Sequence, residues 1–288
     1  MKILLTGATG FLGSHLLKAF FHNGYDVTIL KRSFSDTHRI AEYIGQVRSY
    51  DIDCCELDQP FKDNGKYDAV VHTATLYGRK GETIHEIFQA NTQFPLKLLE
   101  TAIFFNTDTF FNTDTVLYKY LNVYSLSKKQ FMEWGKQCAA MDKIRFVNIK
   151  LEHIYGPGDD DAKFTTHVIK SCLANVPELR LTLGEQKRDF IYIDDVVAAY
   201  LRLLQVSNLQ MGQDYALGSG KTVSIREFVE TVHRLTKSKT SLNFGALPYR
   251  EGEIMLSEAD CTPLKAMGWS PKIDLAAGIT VCLREEIQ

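Results

Sequence analysis

A phenol and an ammonium on one face of a helix can hand over a proton and hold a charge beside it. Tyr124-Ser125-Leu126-Ser127-Lys128 sets Tyr124 and Lys128 at that spacing, one helical turn apart. The chain has 13 tyrosines, so one such spacing arises by chance, but no second one occurs. Upstream, Phe111-Asn112-Thr113-Asp114-Thr115 supplies a hydroxyl at Thr113. If the three converge, the lysine charge is expected to lower the phenol pKa from about 10 toward neutrality, so that Tyr124 exchanges a proton with a substrate oxygen. Near the N-terminus Gly7, Gly10 and Gly13 recur at every third position of Thr6-Gly7-Ala8-Thr9-Gly10-Phe11-Leu12-Gly13. Such glycines let a backbone turn tightly against a pyrophosphate and let a helix pack closely with its N-terminal amides toward the anion, with Thr9, Phe11 and Leu12 in the same stretch. A site preferring NAD places an acid at the end of the second strand. Here that strand ends in Lys31-Arg32, which suits the extra phosphate of NADP, and Asp51-Ile52 stands where an adenine contact is expected.

The elements that position these residues alternate. Strands are expected at Lys2–Thr6, Asp26–Leu30, Gln46–Tyr50, Tyr67–Ala74, Thr109–Asn112 and Ile144–Leu151, several of them near-continuous in Val, Ile and Leu, as in a parallel sheet buried on both faces. Helical spacing marks Phe11–Phe21, Ile84–Phe105 and Tyr124–Ala140, and later Thr165–Ala174, Ile193–Leu204 and Ser224–Thr236. The pattern implies an α/β fold, a Rossmann-type doubly wound parallel sheet with a smaller C-terminal lobe. Residues 1–152, with a returning segment near 187–206, are expected to bind the dinucleotide, and 153–186 with 207–288 to form the substrate lobe. Ile84, Ile87, Phe88, Phe94, Leu98 and Phe105 on one helix, and Phe131, Met132 and Trp134 on another, exceed the single apolar stripe that covers a sheet. A homodimer built on these helices is the expected way to bury the excess.

At 288 residues, 45% hydrophobic and 24% charged, the chain is long enough for a sizeable core, and it has no apolar run of membrane-spanning length. A net charge of -2 gives no field for nucleic acid. The six cysteines form no CxxC, so neither a zinc site nor a disulfide framework is expected, and without a targeting segment the chain reads as cytoplasmic.

Together these motifs resemble the extended short-chain dehydrogenase/reductase superfamily over essentially the whole chain. Three further stretches are similar to its nucleotide-sugar branch, the NAD-dependent epimerase/dehydratase family: Leu151-Glu152-His153-Ile154-Tyr155-Gly156-Pro157-Gly158-Asp159, Gly184 to Val196 (GEQKRDFIYIDDV) and Met267-Gly268-Trp269-Ser270-Pro271. The resemblance implies Thr113, Tyr124 and Lys128 as the catalytic trio, His72, Thr73 and Ala74 lining the cofactor, and Asn91 beneath it. It also implies Arg188 and Arg250 on the sugar-nucleotide diphosphate, with Tyr77, Asp114 and His153 among the substrate contacts. The implied activity is NADPH-dependent reduction of the C4 keto group of a CDP- or dTDP-linked 4-keto-6-deoxyhexose, made for a bacterial surface polysaccharide. A 4-epimerase with tightly held NAD and a catalytically silent NADP-binding regulator are the alternatives. Two departures stand out: the Thr113 to Tyr124 segment is short for the family, and Asp114 is followed by Thr115 where the sugar-nucleotide dehydratases carry a glutamate base, which disfavours dehydration.

Overall fold

The computed structural model describes residues 1–207 and 209–287. The chain opens with strand β1 (Lys2–Thr6), helix α1 (Phe11–His22), β2 (Asp26–Lys31), β3 (Arg48–Asp51), a short helix α2 (Gln59–Asn64) and β4 (Ala69–His72). Then come α3 (Ile84–Phe88), a π-helical turn (Gln89–Gln93), α4 (Phe94–Phe104), β5 (Thr109–Thr115), α5 (Val123–Ala140) and β6 (Arg145–Leu151). β7 (His153–Tyr155), α6 (Phe164–Leu173), β8 (Glu178–Leu181), β9 (Lys187–Tyr192), α7 (Ile193–Gln205) and β10 (Asp214–Leu217) follow. The last elements are β11 (Thr222–Ser224), α8 (Ile225–Thr236), β12 (Ser241–Phe244), α9 (Thr262–Ala266) and α10 (Leu275–Ile287).

Seven strands form one sheet in the order β10-β6-β5-β4-β1-β2-β3, and β1 to β6 pair in parallel. Ile3, Leu4 and Leu5 are all fully buried, which is why β1 shows no polar alternation. The strand order reverses beside β1, between β2 and β4, and ligands of such sheets bind at the carboxyl ends there. The core that carries α5 is aromatic: Phe110 stacks on Phe146 at 5.9 Å, and Phe131 of α5 meets both rings edge-on. Burying each such ring contributes about 2 to 3 kcal/mol, and Leu4, Val70, Leu98 and Leu99 close the cluster.

Three differences from the sequence expectation bear on the site. β3 starts at Arg48 rather than Gln46, because its register on β2 pairs Thr28 with Arg48 and Lys31 with Asp51. β5 runs on to Thr115 because β6 pairs with it along its whole length, so Thr113 lies inside the strand and not at its end. The single helix expected over Ile84–Phe105 is broken by the π turn. Pro95 has no N–H to give the carbonyl four residues back, that of Asn91, and a wider turn there accommodates the missing bond.

The chain divides into two compact units, Met1–Leu151 with Tyr200–Tyr215, and Glu152–Ala199 with Ala216–Gln288. The returning segment thus begins later than residue 187, because α7 leads into β10 at the edge of the large sheet. The second unit holds a three-stranded sheet, β11-β9-β7, and a two-stranded one, β12-β8, and buried carboxylates on β9 and α7 hold neighbouring loops. Asp189 accepts from Ser219 N, Gly220 N and Ala259 N, and Asp195 from Lys272 N and Ile273 N. Trp269 donates its indole N–H to the Asp195 carbonyl at 3.0 Å. Among the described residues no helix is long and apolar enough to cross a membrane.

Candidate active site

Gly7 opens the turn after β1 with φ +74°, and a Cβ there would come within 2.6 Å of Ala74 N and Thr73 Oγ1. A Cβ on Gly13 would come within 2.0 Å of the Gly7 carbonyl oxygen, so helix α1 is packed onto the turn with no room for a side chain. Thr73 Oγ1 donates to Thr6 O and Ala74 N reaches Thr6 Oγ1, which places both residues against the glycine turn. The helix itself starts at Gly10 with no side-chain cap and no acidic residue in its first turn, leaving the positive end of its dipole for an anion.

At the carboxyl end of β2 the two basic residues part ways. Lys31 is largely covered, forms an ion pair with Asp51 across the β2–β3 register, and so binds Asp51 first. Arg32 is exposed and lies over the Phe34 ring at 4.7 Å, and Ser33 donates its N–H and hydroxyl to Asp53. Ile52 donates its backbone N–H to Lys31 O.

Helix α5 is fixed at its start by a capping box, Asn122 Oδ1 accepting from Ser125 N at 2.8 Å while Ser125 Oγ accepts from Asn122 N at 3.1 Å. That sets Tyr124 and Lys128 in the first turn and a half of the helix. The Tyr124 ring lies 5.1 Å from that of Tyr77, which is 42% exposed and has the Arg79 guanidinium 5.0 Å from its ring centroid. Burial raises the Tyr124 pKa well above its ordinary value, with the neighbouring Tyr77 and Asp114 adding to this and a hydrogen bond from Thr75 and the charge of Arg79 opposing it. Lys128 is not among those causes, so the expected lysine-driven lowering of the phenol is not found. Lys128 is 1% exposed and burial lowers its pKa to about 8; Asp114 works against that and Lys129 with it. Among the described residues its ammonium has no ion-pair or hydrogen-bond partner.

Thr113 does not meet the other two in the expected way. Its Oγ1 is 2.6 Å from the hydroxyl of Tyr200, a fully buried residue of α7, while the adjacent Asp114 faces α5, since successive strand residues point to opposite faces. Asp114 is no open substrate contact: it is 3% exposed, and its carboxylate accepts from Lys129 Nζ at 2.8 Å, Asn148 Nδ2 at 3.1 Å and Thr115 N at 2.7 Å. His72, expected to line the cofactor, instead sits fully buried among Phe94, Phe110 and Phe131, with Nδ1 on Thr6 Oγ1 at 2.8 Å and burial holding the ring neutral. Asn91, in the π turn, spends all its capacity on protein. Oδ1 accepts from Leu76 N and Thr75 Oγ1, and Nδ2 donates to Leu76 O and Ser127 Oγ. It braces the loop after β4 against α5 rather than touching a ligand. Thr75, Ser127, Lys129 and Tyr200 were missed by the sequence motifs. Of these only Ser127, three residues after Tyr124 and bonded to its carbonyl, left a signal in spacing.

In the second unit Arg188 is 8% exposed and already paired with Glu253, and its Nη1 donates to Lys187 O at 2.9 Å. Arg250 is exposed. His153 is partly covered, with Nδ1 3.2 Å from Glu152 Oε2 and its ring on Phe190.

A nicotinamide dinucleotide fits the first unit on three observations: the glycine turn has space only for backbone beside an anion, the helix start above it is uncapped, and a buried ammonium waits without a partner where ribose hydroxyls would supply acceptors.

Residues 3–218 match the model of a family described as the NAD dependent epimerase/dehydratase family. CDP-abequose synthase of Salmonella muenchen is 36% identical over 286 residues, covering 96% of this chain and 95% of that protein. The enzyme of the same name from Salmonella typhimurium is 36% identical over 292 residues, with 98% and 97% covered. UDP-glucuronic acid 4-epimerase from Bacillus cereus, solved with UDP-glucuronic acid and NAD, shares the fold with a TM-score of 0.87 at 23% identity, with 99% and 98% of the chains covered. UDP-glucose 4-epimerase from Thermus thermophilus, solved with NAD, does so at 0.83 and 20%, again with 99% and 98% covered.

Proposed function

The chain belongs to the NAD dependent epimerase/dehydratase family, and on that premise we propose that it is an NADPH-dependent reductase of the C4 keto group of a CDP- or dTDP-linked 4-keto-6-deoxyhexose, supplying a sugar for a surface polysaccharide. The observation that carries the reading is the Tyr124–Lys128 pair, a phenol kept protonated by burial beside an ammonium with no protein partner, in a chain 36% identical to CDP-abequose synthases. When bound, the reduced nicotinamide supplies a hydride for the carbonyl carbon. Tyr124 gives its phenolic proton to the carbonyl oxygen as charge develops there, which makes the alcohol and leaves a phenolate. Lys128 would donate to the ribose hydroxyls, and the Arg79 guanidinium is the positive charge acting on the Tyr124 phenol. Arg250 is the arginine open to a diphosphate, and Arg188 reaches one by exchanging Glu253 for it.

The test is incubation with NADPH and a panel of CDP- and dTDP-4-keto-6-deoxy sugars, with products identified by NMR. One NADPH oxidised per sugar reduced supports the reading, and no oxidation with any panel member overturns it. The 4-epimerase is the second reading, favoured by the Asp51 grip on Lys31, which weakens the positive charge offered to a 2'-phosphate. It predicts sugar interconversion with no net NADPH consumed.

Because Lys31 is held by Asp51, Arg32 is expected to carry most of the cofactor preference. Arg32→Ala should cut the NADPH-over-NADH ratio of kcat/KM by a factor on the order of 10 to 100, the range for one charged contact, and Lys31→Ala by less. Equal efficiency with both cofactors in the unmodified enzyme would remove the argument.

The proposal includes a homodimer on α3 and α5. Ile84 is 71%, Phe88 41% and Trp134 53% exposed there, whereas Ile87, Leu98 and Phe131 turned out to be core. Light scattering should give twice the chain mass at micromolar concentration, and Trp134→Glu with Ile84→Glu should give the single mass. A monomeric unmodified protein rejects the dimer.

A further inference from the structure

The turn of α5 that carries Tyr124 and the loop between β4 and α3 are tied to the same side chain. Asn91 Nδ2 donates to Ser127 Oγ at 3.1 Å, that hydroxyl donates to the Tyr124 carbonyl at 2.8 Å, and Thr92 Oγ1 donates to Ser127 O at 2.9 Å. Toward the loop, Asn91 accepts from Leu76 N and donates to Leu76 O, both at 2.8 Å, and accepts from Thr75 Oγ1 at 3.2 Å. Further along, Gly78 lies so close to Ile87 of α3 that a Cβ would come within 2.7 Å of its Cδ1, and Lys80 N donates to Glu82 Oε2 at 2.7 Å. Tyr77 stands between these anchors. Its ring is 5.1 Å from that of Tyr124 with 34° between the planes, and the Arg79 guanidinium is 5.0 Å from its centroid. Tyr124 is thus referred twice to one asparagine, its backbone through Ser127 and its ring through Tyr77.

We propose that Tyr77 is a positioning residue for Tyr124: its ring, presented by a loop that Asn91 fixes and backed by Arg79, holds the Tyr124 ring in one pose and covers it from water. The inference deepens the proposed reduction and rests on Tyr124 being its proton donor, whereas the ring contact itself is independent of which sugar is reduced.

The capping box and Ser127 fix the backbone of Tyr124, but only the neighbours of its ring can fix χ1 and χ2. Tyr77 meets that ring at a separation aromatic pairs favour. Proton transfer requires the phenol within hydrogen-bond reach of the substrate oxygen, and a misplacement of about 1 Å costs on the order of 10²-fold in rate. Tyr77 is 42% exposed, so its ring is bounded by solvent as well as by Tyr124. The groups acting on the Tyr124 phenol are Tyr77, Arg79 and Thr75 of this loop and Asp114 of β5, and burial acts on it more strongly than any of them.

On the panel sugar turned over fastest, Tyr77→Leu should lower kcat by a factor on the order of 10 to 100, with KM and NADPH affinity within about twofold. Tyr77→Phe keeps the ring and should recover most of that loss, and Arg79→Gln should cost about two- to fivefold. A second readout needs no substrate: the 13Cζ resonance of Tyr124, assigned by its loss in Tyr124→Phe. It should stay constant up to about pH 11 in the unmodified and Tyr77→Phe proteins, and titrate at about pH 10 in Tyr77→Leu, where water reaches the phenol. An unchanged kcat in Tyr77→Leu, or a Tyr124 resonance as constant there as in the unmodified protein, overturns the proposal. So does a phenylalanine variant as slow as the leucine one, because the hydroxyl and not the ring would then be at work. A raised KM with kcat intact also overturns it and makes Tyr77 a substrate contact instead. If Tyr124→Phe retains its turnover or no panel sugar is reduced, the reading of the reaction fails, and the Tyr124 titration alone decides whether Tyr77 holds it.

Discussion

Tyr124→Phe is expected to lower turnover by a factor on the order of 10² to 10⁴ while NADPH affinity stays within about twofold. The change removes one oxygen and keeps the ring, so the 5.1 Å contact with Tyr77 and the capping box that starts α5 both persist. What disappears is the only phenolic proton on the face that also carries Lys128. Because burial raises the Tyr124 pKa, its proton is not lost anywhere near neutrality, and turnover in the reducing direction should be level through neutral pH. It should then fall as Lys128, lowered to about 8, gives up its charge. Steady-state kinetics over pH 6 to 9 on both proteins makes the check. A phenylalanine variant that keeps more than a tenth of its turnover would move the acid role to another group, Thr75 being the nearest hydroxyl.

Lys128→Met is expected to do two opposite things: turnover falls by a factor on the order of 10² or more, and the protein without cofactor becomes more stable. The folded lysine has its pKa lowered from 10.5 to about 8, so between those values the unfolded chain binds the extra proton and stability rises with pH. Below about pH 8 both states are charged and the full penalty stands, on the order of 3 kcal/mol. Methionine fills a similar volume without the charge. The gain should therefore be complete at pH 7, on the order of 5 °C in Tm, and should fade to nothing as pH approaches 10.5. Melting curves at pH 7 and pH 10 with and without NADPH are decisive. Equal stability of the two proteins at pH 7 would mean that Lys128 is satisfied in the free protein after all.

The glycine turn was legible because its chemistry is local: three glycines, one strand and one helix lie within a dozen residues, and no distant contact can change what they do. Tyr124 and Lys128 were legible for the same reason, since helix geometry alone places them together. Thr113 was not, because its surroundings depend on how far β6 keeps pairing with β5 and on Tyr200, 87 residues away. Asp114 reads as a substrate contact until Lys129 is seen to reach it across the strand-to-helix connection. His72 and Asn91 occupy the positions the motifs imply, yet Phe94, Phe110 and Phe131 enclose the first and backbone groups of Leu76 saturate the second. Strand and helix types came through where periodicity was strong, whereas the π turn rests on a single proline.

The first unit is interrupted in sequence, its last piece, Tyr200–Tyr215, following Glu152–Ala199 of the second. During synthesis, then, a ribosome releases β1 to β6 well before β10, and until Asp214–Leu217 emerges β6 is an unpaired sheet edge, Tyr200 is absent and the Thr113 hydroxyl has no buried partner. Exposed strand edges recruit other strands. A nascent or truncated chain ending near Leu151 is thus an aggregation hazard even though it contains the glycine turn, Tyr124 and Lys128, and a chaperone engaging it has one structural task, to shield the outer edge of β6 until the returning segment arrives.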